Sequence, residues 1–308
     1  MLITHLFKVF FARIHYNTPM NENTAVTRVV DLHSHTTASD GRLTPAQLVQ
    51  RAAEKGVHML AITDHDSVAA MIPAHAANQA LEQPLTLING AEISTRWYSY
   101  DIHVVALNID IHNPQLQDFL DNQAVLRDQR AQEIGVRLAK VGIEGAYDAA
   151  KAFADGAVIS RGHFARFLIE KGYATDNAGV FKKYLAKGKT GYVPNNWGDM
   201  ASAIDIIHQA GGLAVLAHPS AYQLSGKWLR RLVTEFKDAG GDAMEVVLGQ
   251  QNLDDRANLV ALSHKHELLT SVGSDFHFVG GWVELGRNLF LPAGLNWVWQ
   301  SPLWKDRS

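Results

Sequence analysis

His33 and His35, two residues apart in Val29-Val30-Asp31-Leu32-His33-Ser34-His35, close a short apolar run and are followed by Asp40 in a Gly-containing turn. Side chains alternate along an extended chain, so both imidazoles point to one side and can grip a metal ion from two directions, with Asp40 offered by the turn. Taken alone, this His-x-His is equally the mark of two hydrogen-bonded histidines beside a turn. The rest of the chain decides between them. Ile62-Thr63-Asp64-His65-Asp66, Gly90-Ala91-Glu92, His103, Ala217-His218-Pro219 and Gly273-Ser274-Asp275-Phe276-His277 supply further ligand-type residues. His33, His35, His65, Glu92, His218, Asp275 and His277 fall at or just beyond the C-terminal ends of predicted strands, the rim on which α/β barrels build their sites. Histidines serving only a core have no reason to gather there.

Six imidazoles (His33, His35, His65, His103, His218, His277) and three carboxylates (Asp40, Glu92, Asp275) make nine candidate ligands, more than one ion of about six-fold coordination can use. Two or three ions sharing bridging carboxylates account for the set. Three divalent ions would leave the cluster near about +3 and two near about +1, so either count creates a local attraction for a phosphate dianion. The imidazole-rich shell argues against magnesium alone and for manganese, iron or zinc. The chemistry expected of such a centre is hydrolysis of a phosphoester, with a metal-bound hydroxide as the nucleophile and no protein nucleophile.

The elements that must carry these residues can be read from capping and periodicity. Thr44-Pro45-Ala46-Gln47 opens a helix with a Thr cap, Pro at the first position and Gln at the capping-box position. Gly56 closes it, and Met59–Thr63 is a buried strand leading to His65. A helix broken near Pro73 follows, then strands over Leu85–Asn89 and Asp101–Leu107. This βαβ rhythm implies an α/β fold with parallel strands and outer helices. Between Asn113 and Asn196 the rhythm gives way to helices over Asn113–Lys140, Ala146–Ala154, Arg161–Glu170 and Ala178–Ala186, a helical insertion expected over one face of the barrel. The Gln, Asp and Arg residues along Asn113–Lys140 suggest a solvated face. Strand and helix then alternate again, through Asp199–Ala210, Leu213–Ala217, Trp228–Ala239, Ala243–Val247, Leu253–His266 and Leu268–Val272. The expected organisation is an N-terminal extension over 1–27, a first barrel part over 28–112, the insertion over 113–196 and a second barrel part over 197–308.

Composition bounds the alternatives. With 308 residues, 47% of them hydrophobic and 19% charged, the chain can bury a sizeable core as an ordinary globular protein. A net charge of −3 excludes a basic blanket, so a polyanion must be attracted locally. The absence of cysteine removes disulfides and thiolate ligands, leaving metal chemistry to histidine and carboxylates. Leu2–Ile14 is apolar and aromatic but too short to span a bilayer, and it lacks a charged start and a small-residue cleavage site. The extension is therefore read as poorly ordered or peripherally docked, with Met20 as an alternative start, and the protein as cytoplasmic with no membrane partner.

His33-Ser34-His35, Asp40, Thr63-Asp64-His65-Asp66, Gly90-Ala91-Glu92-Ile93-Ser94, His103, Ala217-His218-Pro219 and Gly273-Ser274-Asp275-Phe276-His277 together resemble the motif set of the PHP (polymerase and histidinol phosphatase) superfamily. The resemblance runs from Val30 to about Pro292. Ser160–Phe167, Phe181–Pro194 and Glu284-Leu285-Gly286-Arg287 resemble in particular the bacterial subfamily of 5′→3′ exoribonucleases (the ribonuclease AM type) and nucleoside-3′,5′-bisphosphate phosphatases. The resemblance implies a distorted (β/α)₇ barrel with a trinuclear site that favours Mn2+, Fe2+ or Zn2+ being alternatives. It also implies removal of nucleotides from the 5′ ends of short RNA, including trimming of ribosomal RNA, and hydrolysis of the 3′-phosphate of nucleoside 3′,5′-bisphosphates. All nine ligand positions match the pattern, which argues against a non-catalytic, metal-stabilised module.

Around that set, Arg161 and Lys187 in the insertion are candidate phosphate contacts. His163 is a substrate contact or a packing residue. Asp66 either orients His65 from behind or caps the next helix. Glu245 can reach the site, although a structural role is preferred. Trp97 and Tyr98 can stack a base, although loop packing is preferred. His15, His58, His75, His112, His208, His264 and His266 lack the strand-end context and are read as structural. Two rivals stand beside the nuclease reading: a phosphatase acting on another small phosphomonoester such as histidinol phosphate, and a metal-dependent amidohydrolase. The second would call for a carboxylated bridging lysine, and no lysine occupies a suitable strand end.

Overall fold

The computed structural model describes residues 28–305, so the reading of Leu2–Ile14 and of the 1–27 extension lies outside the described residues. The chain runs β1 (Val29–Asp31), α1 (Pro45–Glu54), β2 (Val57–Ile62), α2 (Met71–Gln79), β3 (Thr86–Trp97) and β4 (Tyr100–Leu107). It continues through α3 (Pro114–Ala139), α4 (Ala146–Ala154), α5 (Arg161–Glu170) and α6 (Asn177–Val180), the last running into a π turn over Phe181–Leu185. The final part is α7 (Met200–Gln209), β5 (Leu213–Leu216), α8 (Gly226–Asp238), β6 (Ala243–Leu248), α9 (Leu253–Lys265) and β7 (Leu269–Gly273).

Local chemistry explains most of these boundaries. The Thr44 hydroxyl accepts from the Gln47 N–H at 3.3 Å and the Gln47 side chain accepts from the Thr44 N–H at 2.9 Å, the reciprocal cap foreseen for α1. Asn113, Asp199, Ser225 and Asn252 cap α3, α7, α8 and α9 in one direction only, each side chain accepting from a backbone N–H of the first turn. Pro73 does not break a helix as expected. It sits in the first turn of α2, where its missing N–H leaves no intrahelical bond unmade. The single helix expected over Ala178–Ala186 is instead the short α6 followed by the π turn.

The seven strands are hydrogen-bonded in sequence order. Strands β1, β2 and β3 are parallel, as are β5, β6 and β7. The sheet closes on itself where the Leu32 N–H donates to the Val272 carbonyl at 2.9 Å and the Asp275 N–H donates to the His33 carbonyl at 2.9 Å. The departure from an all-parallel barrel is β4. Strand β3 continues well past Glu92, turns at Tyr98-Ser99 and pairs back antiparallel, with Ser94 opposite His103 and Trp97 opposite Tyr100. This hairpin replaces the parallel strand expected over Asp101–Leu107, and it is the distortion of the (β/α)₇ barrel. Its turn gave no sequence signal, because tight hairpin turns favour Asn-Gly or Gly-X and here Tyr98 takes the positive φ, at 51°.

Two apolar cores result. One lies inside and around the barrel, and the other gathers Ala131, Ile134 and Leu138 of α3 with Ile143, Phe164, Phe167 and Leu168. Helix α3 spans both, with Leu116 and Leu120 buried against the barrel. Between its two apolar ends it buries Gln123 and Arg127, which corrects the solvated face read from its polar residues. Their partner is Asp66. Its carboxylate accepts from Arg127 Nε at 2.7 Å, from Gln123 Nε2 at 3.1 Å and from the Ser94 N–H at 2.8 Å. Burial alone would raise the Asp66 pKa, but the Arg127 guanidinium and these hydrogen bonds hold it below the ordinary value. The Asp66 carboxylate hydrogen-bonds Arg127, Gln123 and Ser94 rather than His65, and α2 starts after Ala70 without a side-chain cap. Asp66 fastens the insertion to the barrel. Arg127→Met would leave this carboxylate buried without its cation, at an expected cost of about 3–5 kcal/mol in urea unfolding. A loss below about 1 kcal/mol would remove this pair from the account of how the two cores are joined.

Candidate metal centre

The chain leaving β1 stays extended, so Ser34 turns inward, its hydroxyl donating to the Ala61 carbonyl at 2.7 Å. His33 and His35 both face the rim, their Nε2 atoms 3.2 Å apart. The following turn is held by Asp64, fully buried behind it. One carboxylate oxygen accepts from the Thr36 N–H at 2.7 Å and the Ser39 hydroxyl at 2.5 Å, the other from the Thr36 hydroxyl at 2.6 Å. This grip delivers Asp40. Gly41 is required beside it, because a Cβ there would lie 2.4 Å from the His35 carbonyl oxygen. His65 follows β2 and bridges to Glu92 on β3, and His103 comes from the returning strand β4. His218 follows β5, and Asp275 and His277 follow β7. His218 and Asp275 sit at φ 29° and 58°, left-handed conformations that cost side-chain-bearing residues energy and tend to collect at functional sites.

All nine predicted residues converge, linked through three carboxylates. One oxygen of Glu92 lies 2.8 Å from His218 Nε2 and 2.9 Å from His103 Nδ1, and the other lies 2.8 Å from His65 Nδ1 and 3.5 Å from His35 Nε2. Asp275 reaches His35 Nε2 at 3.1 Å and His33 Nε2 at 3.5 Å. Asp40 reaches His277 Nε2 at 3.3 Å and His65 Nε2 at 3.8 Å. Three overlapping sets each bring their donor atoms within 4.8 Å of one another: His35, Asp40, His65 and His277; His33, His35 and Glu92; and His65, Glu92 and His103.

The donor set fits metal ions on evidence internal to the fold. His35 Nδ1, Asp40 Oδ1, His65 Nδ1, Glu92 Oε2 and His218 Nδ1 are buried and make no well-oriented hydrogen bond, His65 Nδ1 and Glu92 Oε2 facing each other at 2.8 Å and Asp40 Oδ1 facing His277 Nε2 at 3.3 Å. A buried polar atom left unpaired costs about 1–3 kcal/mol, so this many in one cluster calls for ligands that the protein itself does not provide. The charges within the cluster set its protonation. Burial would raise Glu92 and Asp275, but the imidazoles around them, led by His103 and His277 respectively, hold both carboxyls well below the usual range. Burial and the neighbouring His277 push His35 down to about 3. His277, against the pull of burial, is pushed up to about 10 by Asp40 and Asp275. Burial holds His103 low as it does His35, whereas the carboxylates raise His33, His65 and His218 against burial. Ionised carboxylates and neutral imidazoles are the ligating forms, so a bound cation would have to displace the protons that these last three and His277 favour.

Two groups behind the cluster carry more weight than the sequence revealed. Glu245 is fully buried; one of its oxygens lies 2.8 Å from His33 Nδ1 and the other accepts from the His218 N–H at 2.6 Å. It thereby turns His33 Nε2 toward the cluster and braces the strained backbone of His218. Asp31 accepts from the Ser274 N–H at 2.8 Å and the Gly286 N–H at 3.0 Å, tying the loop after β7 to the end of β1. Its only sequence signal is a lone acid inside an apolar strand.

The cluster opens into a cavity of about 960 Å³ whose far wall is built by the insertion. Arg127, Arg130, Arg161 and Arg166 line it, with Arg42 on the barrel side. Arg161 Nη2 lies 3.5 Å from Asp101, and its guanidinium is 5.5 Å from the Phe181 ring centroid. Burial and the adjacent Arg161 push Arg130 down to about 10. Trp197 lines the same wall beneath Arg127 and Arg130, at 5.3 and 5.6 Å. Of the two phosphate candidates, Arg161 is on the wall, whereas Lys187 is exposed and off it. His163 also reaches the cavity, but its Nδ1 accepts from the Ser160 N–H in the α5 cap. Trp97 and Tyr98 lie elsewhere, packed on Trp228 and bonded to Glu235.

Comparison with known proteins gives this geometry a context. Residues 31–277 match a family model described as the PHP domain. The chain is 55% identical over 278 residues to the 5′-3′ exoribonuclease Rnm of Escherichia coli (strain K12), covering 90% of this chain and 94% of that one. It is 38% identical to a 3′,5′-nucleoside bisphosphate phosphatase of Chromobacterium violaceum, covering 88% and 95%. A solved structure of an amidohydrolase from Chromobacterium violaceum, with bound sulfate and no metal, is similar with a TM-score of 0.83 at 38% identity, over 88% of this chain and 95% of that one.

Glu245 accepts from two donors, so Glu245→Gln leaves one of them facing an amide NH₂. The expected result is a fall of about 10–100-fold in divalent-metal affinity by calorimetry, with an unchanged circular dichroism spectrum. Wild-type affinity would remove Glu245 from the support of the centre.

Proposed function

Because the chain belongs to the PHP domain family, we propose that it is a metal-dependent phosphoric ester hydrolase: a 5′→3′ exoribonuclease that releases nucleotides from the 5′ ends of short RNA and also removes the 3′-phosphate of nucleoside 3′,5′-bisphosphates. The observation that carries the reading is the opening of a buried cluster of imidazoles and carboxylates directly onto a cavity walled by arginines. The identities with an exoribonuclease and a bisphosphate phosphatase support the same chemistry. Among the described residues no lysine lines the cavity, which leaves the amidohydrolase alternative without a bridging ligand.

His33, His35, Asp40, His65, Glu92, His103, His218, Asp275 and His277 would hold the ions, three being favoured because the donors form three overlapping sets. Manganese is the preferred ion, since it accepts this mixture of imidazole and carboxylate. Bound divalent ions would supply Lewis-acid charge at the phosphate and lower the pKa of a coordinated water. The chain's own residues orient and select. Glu245 and Asp31 fix the ligand loops, and Arg161 and its neighbours grip phosphate oxygens from the opposite wall. Trp197 backs Arg127 and Arg130, and the part-exposed Phe181 offers a ring that accepts any base. A charge-led, stacking-led wall suits a substrate read by its backbone, such as the 5′ end of ribosomal RNA during maturation. Among the described residues no helix is long and apolar enough to cross a membrane, and a cytoplasmic setting is part of this reading.

The test is hydrolysis of a 5′-monophosphorylated short RNA and of adenosine 3′,5′-bisphosphate by metal-stripped protein, before and after addition of manganese. Cleavage of both only with metal, with mononucleotides released from the RNA 5′ end, is the expected result. Cleavage of the bisphosphate alone would reduce the protein to a small-nucleotide phosphatase, and metal-independent cleavage would defeat the centre. His33→Ala and Asp275→Asn should each abolish turnover with the fold intact. Arg161→Ala should lower kcat/KM by about tenfold or more while bound metal is unchanged, the scale of one lost charge-assisted hydrogen bond; an unaltered kcat/KM would take Arg161 out of substrate binding.

A further inference from the structure

A second depression of about 600 Å³ adjoins the catalytic cavity, and the two share Gln250 and Trp282 in their walls. Its lining includes Arg256, Arg287 and Phe290 and contains no carboxylate. Asp254 and Asp255, in the first turn of α9, lie outside that lining. Asp255 is occupied with the Asn252 cap. Trp282 is 82% exposed and Phe290 71% exposed, although each is large enough to bury substantial area elsewhere. The Trp282 backbone is nevertheless held in place, its carbonyl accepting from Arg287 Nη2 at 2.6 Å. Exposed rings on a restrained loop, spaced between arginines, form the pattern on which single-stranded nucleic acid stacks without regard to sequence.

We propose that this second depression, entered over Trp282, is the track for the RNA chain 3′ to the scissile phosphate. The proposal rests on the exoribonuclease reading and extends it. The insertion closes the arginine-walled end of the cavity, which suits a 5′-terminal nucleotide, whereas the Trp282 end continues into the open depression. An enzyme that removes one nucleotide from a 5′ end needs this asymmetry: a closed end to count from and an open one for the remaining strand. Trp282 and Phe290 would stack successive bases, and Arg256 and Arg287 would face the phosphates. A nucleoside bisphosphate ends at the metals and would never reach Phe290.

The experiment compares full-chain, manganese-loaded protein on 5′-monophosphorylated oligoadenylates of two and six nucleotides and on adenosine 3′,5′-bisphosphate. Wild-type protein should show a lower KM for the hexamer than for the dimer. The double variant Phe290→Ala/Arg256→Gln should lose about fivefold or more in kcat/KM on the hexamer, with the bisphosphate unchanged within about twofold. Equal losses on hexamer and bisphosphate, or no loss on either, would overturn the track while leaving the nuclease reading in place. Failure of wild-type protein to cleave either RNA would overturn both.

Discussion

Glu92 is the constraint around which the rest is built. It is a carboxylate with no exposure, placed mid-strand where water cannot solvate it, and such a charge costs several kcal/mol unless it is compensated. Imidazoles from β2, β4, β5 and the chain after β1 surround it within 3.5 Å. Of those histidines, His33 is held from behind by the buried Glu245, which also takes the His218 backbone N–H. The closure of the barrel belongs to the same arrangement. The hydrogen bonds joining β1 to β7 run through His33 and Asp275, and Asp31 clamps the two strand ends together. The left-handed conformations of His218 and Asp275, of the kind that costs about 1–3 kcal/mol each, persist because these groups over-determine them. The barrel seam and the metal centre are therefore one construction.

The antiparallel strand β4 follows from that constraint. A parallel β4 would carry His103, near its start, to the opposite end of the barrel from Glu92. Returning through a two-residue turn places His103 across from Ser94, diagonal to Glu92, with Nδ1 2.9 Å from the carboxylate. The hairpin thus supplies two ligands to the rim from adjacent strands where a βαβ unit would supply one.

Much of this was legible in the sequence, for identifiable reasons. Seven of the nine candidate ligands announced themselves because each is a histidine or acid placed where an apolar run stops, Asp40 and His103 joining them from a turn and a strand. The Thr44 cap marked the start of α1 correctly. What escaped was chemistry that acts between distant segments. Asp31, Asp64 and Glu245 look like ordinary strand-end acids until the fold brings backbone N–H groups and histidines to them. Gln123 and Arg127 read as a solvated stripe because their partner Asp66 lies some sixty residues earlier, and Arg130 became a cavity residue only when α3 crossed the rim. The hairpin was missed because a tyrosine takes the turn position where glycine or asparagine would have signalled it.

The two cores divide the labour in a way that the contacts make explicit. The barrel supplies every candidate ligand, and the insertion supplies the far wall of the cavity, where Arg127, Arg130, Arg161 and Arg166 stand. Two of the places where they meet bear directly on the cluster. At one, Asp66 binds Arg127 and Gln123. At the other, Gly162 at the start of α5 packs so close to the Asp40 loop that a Cβ would lie 3.3 Å from the Asp40 side chain. Any shift of α5 therefore presses directly on a ligand loop, and any loosening of Asp40 reaches Arg161 one residue away. Positioning the arginine wall and positioning the candidate ligands are consequently coupled, which matters for phosphoester hydrolysis, whose rate depends on holding a phosphate between fixed charges. A substitution at this contact would change substrate binding and metal binding together, although Gly162 itself ligates neither.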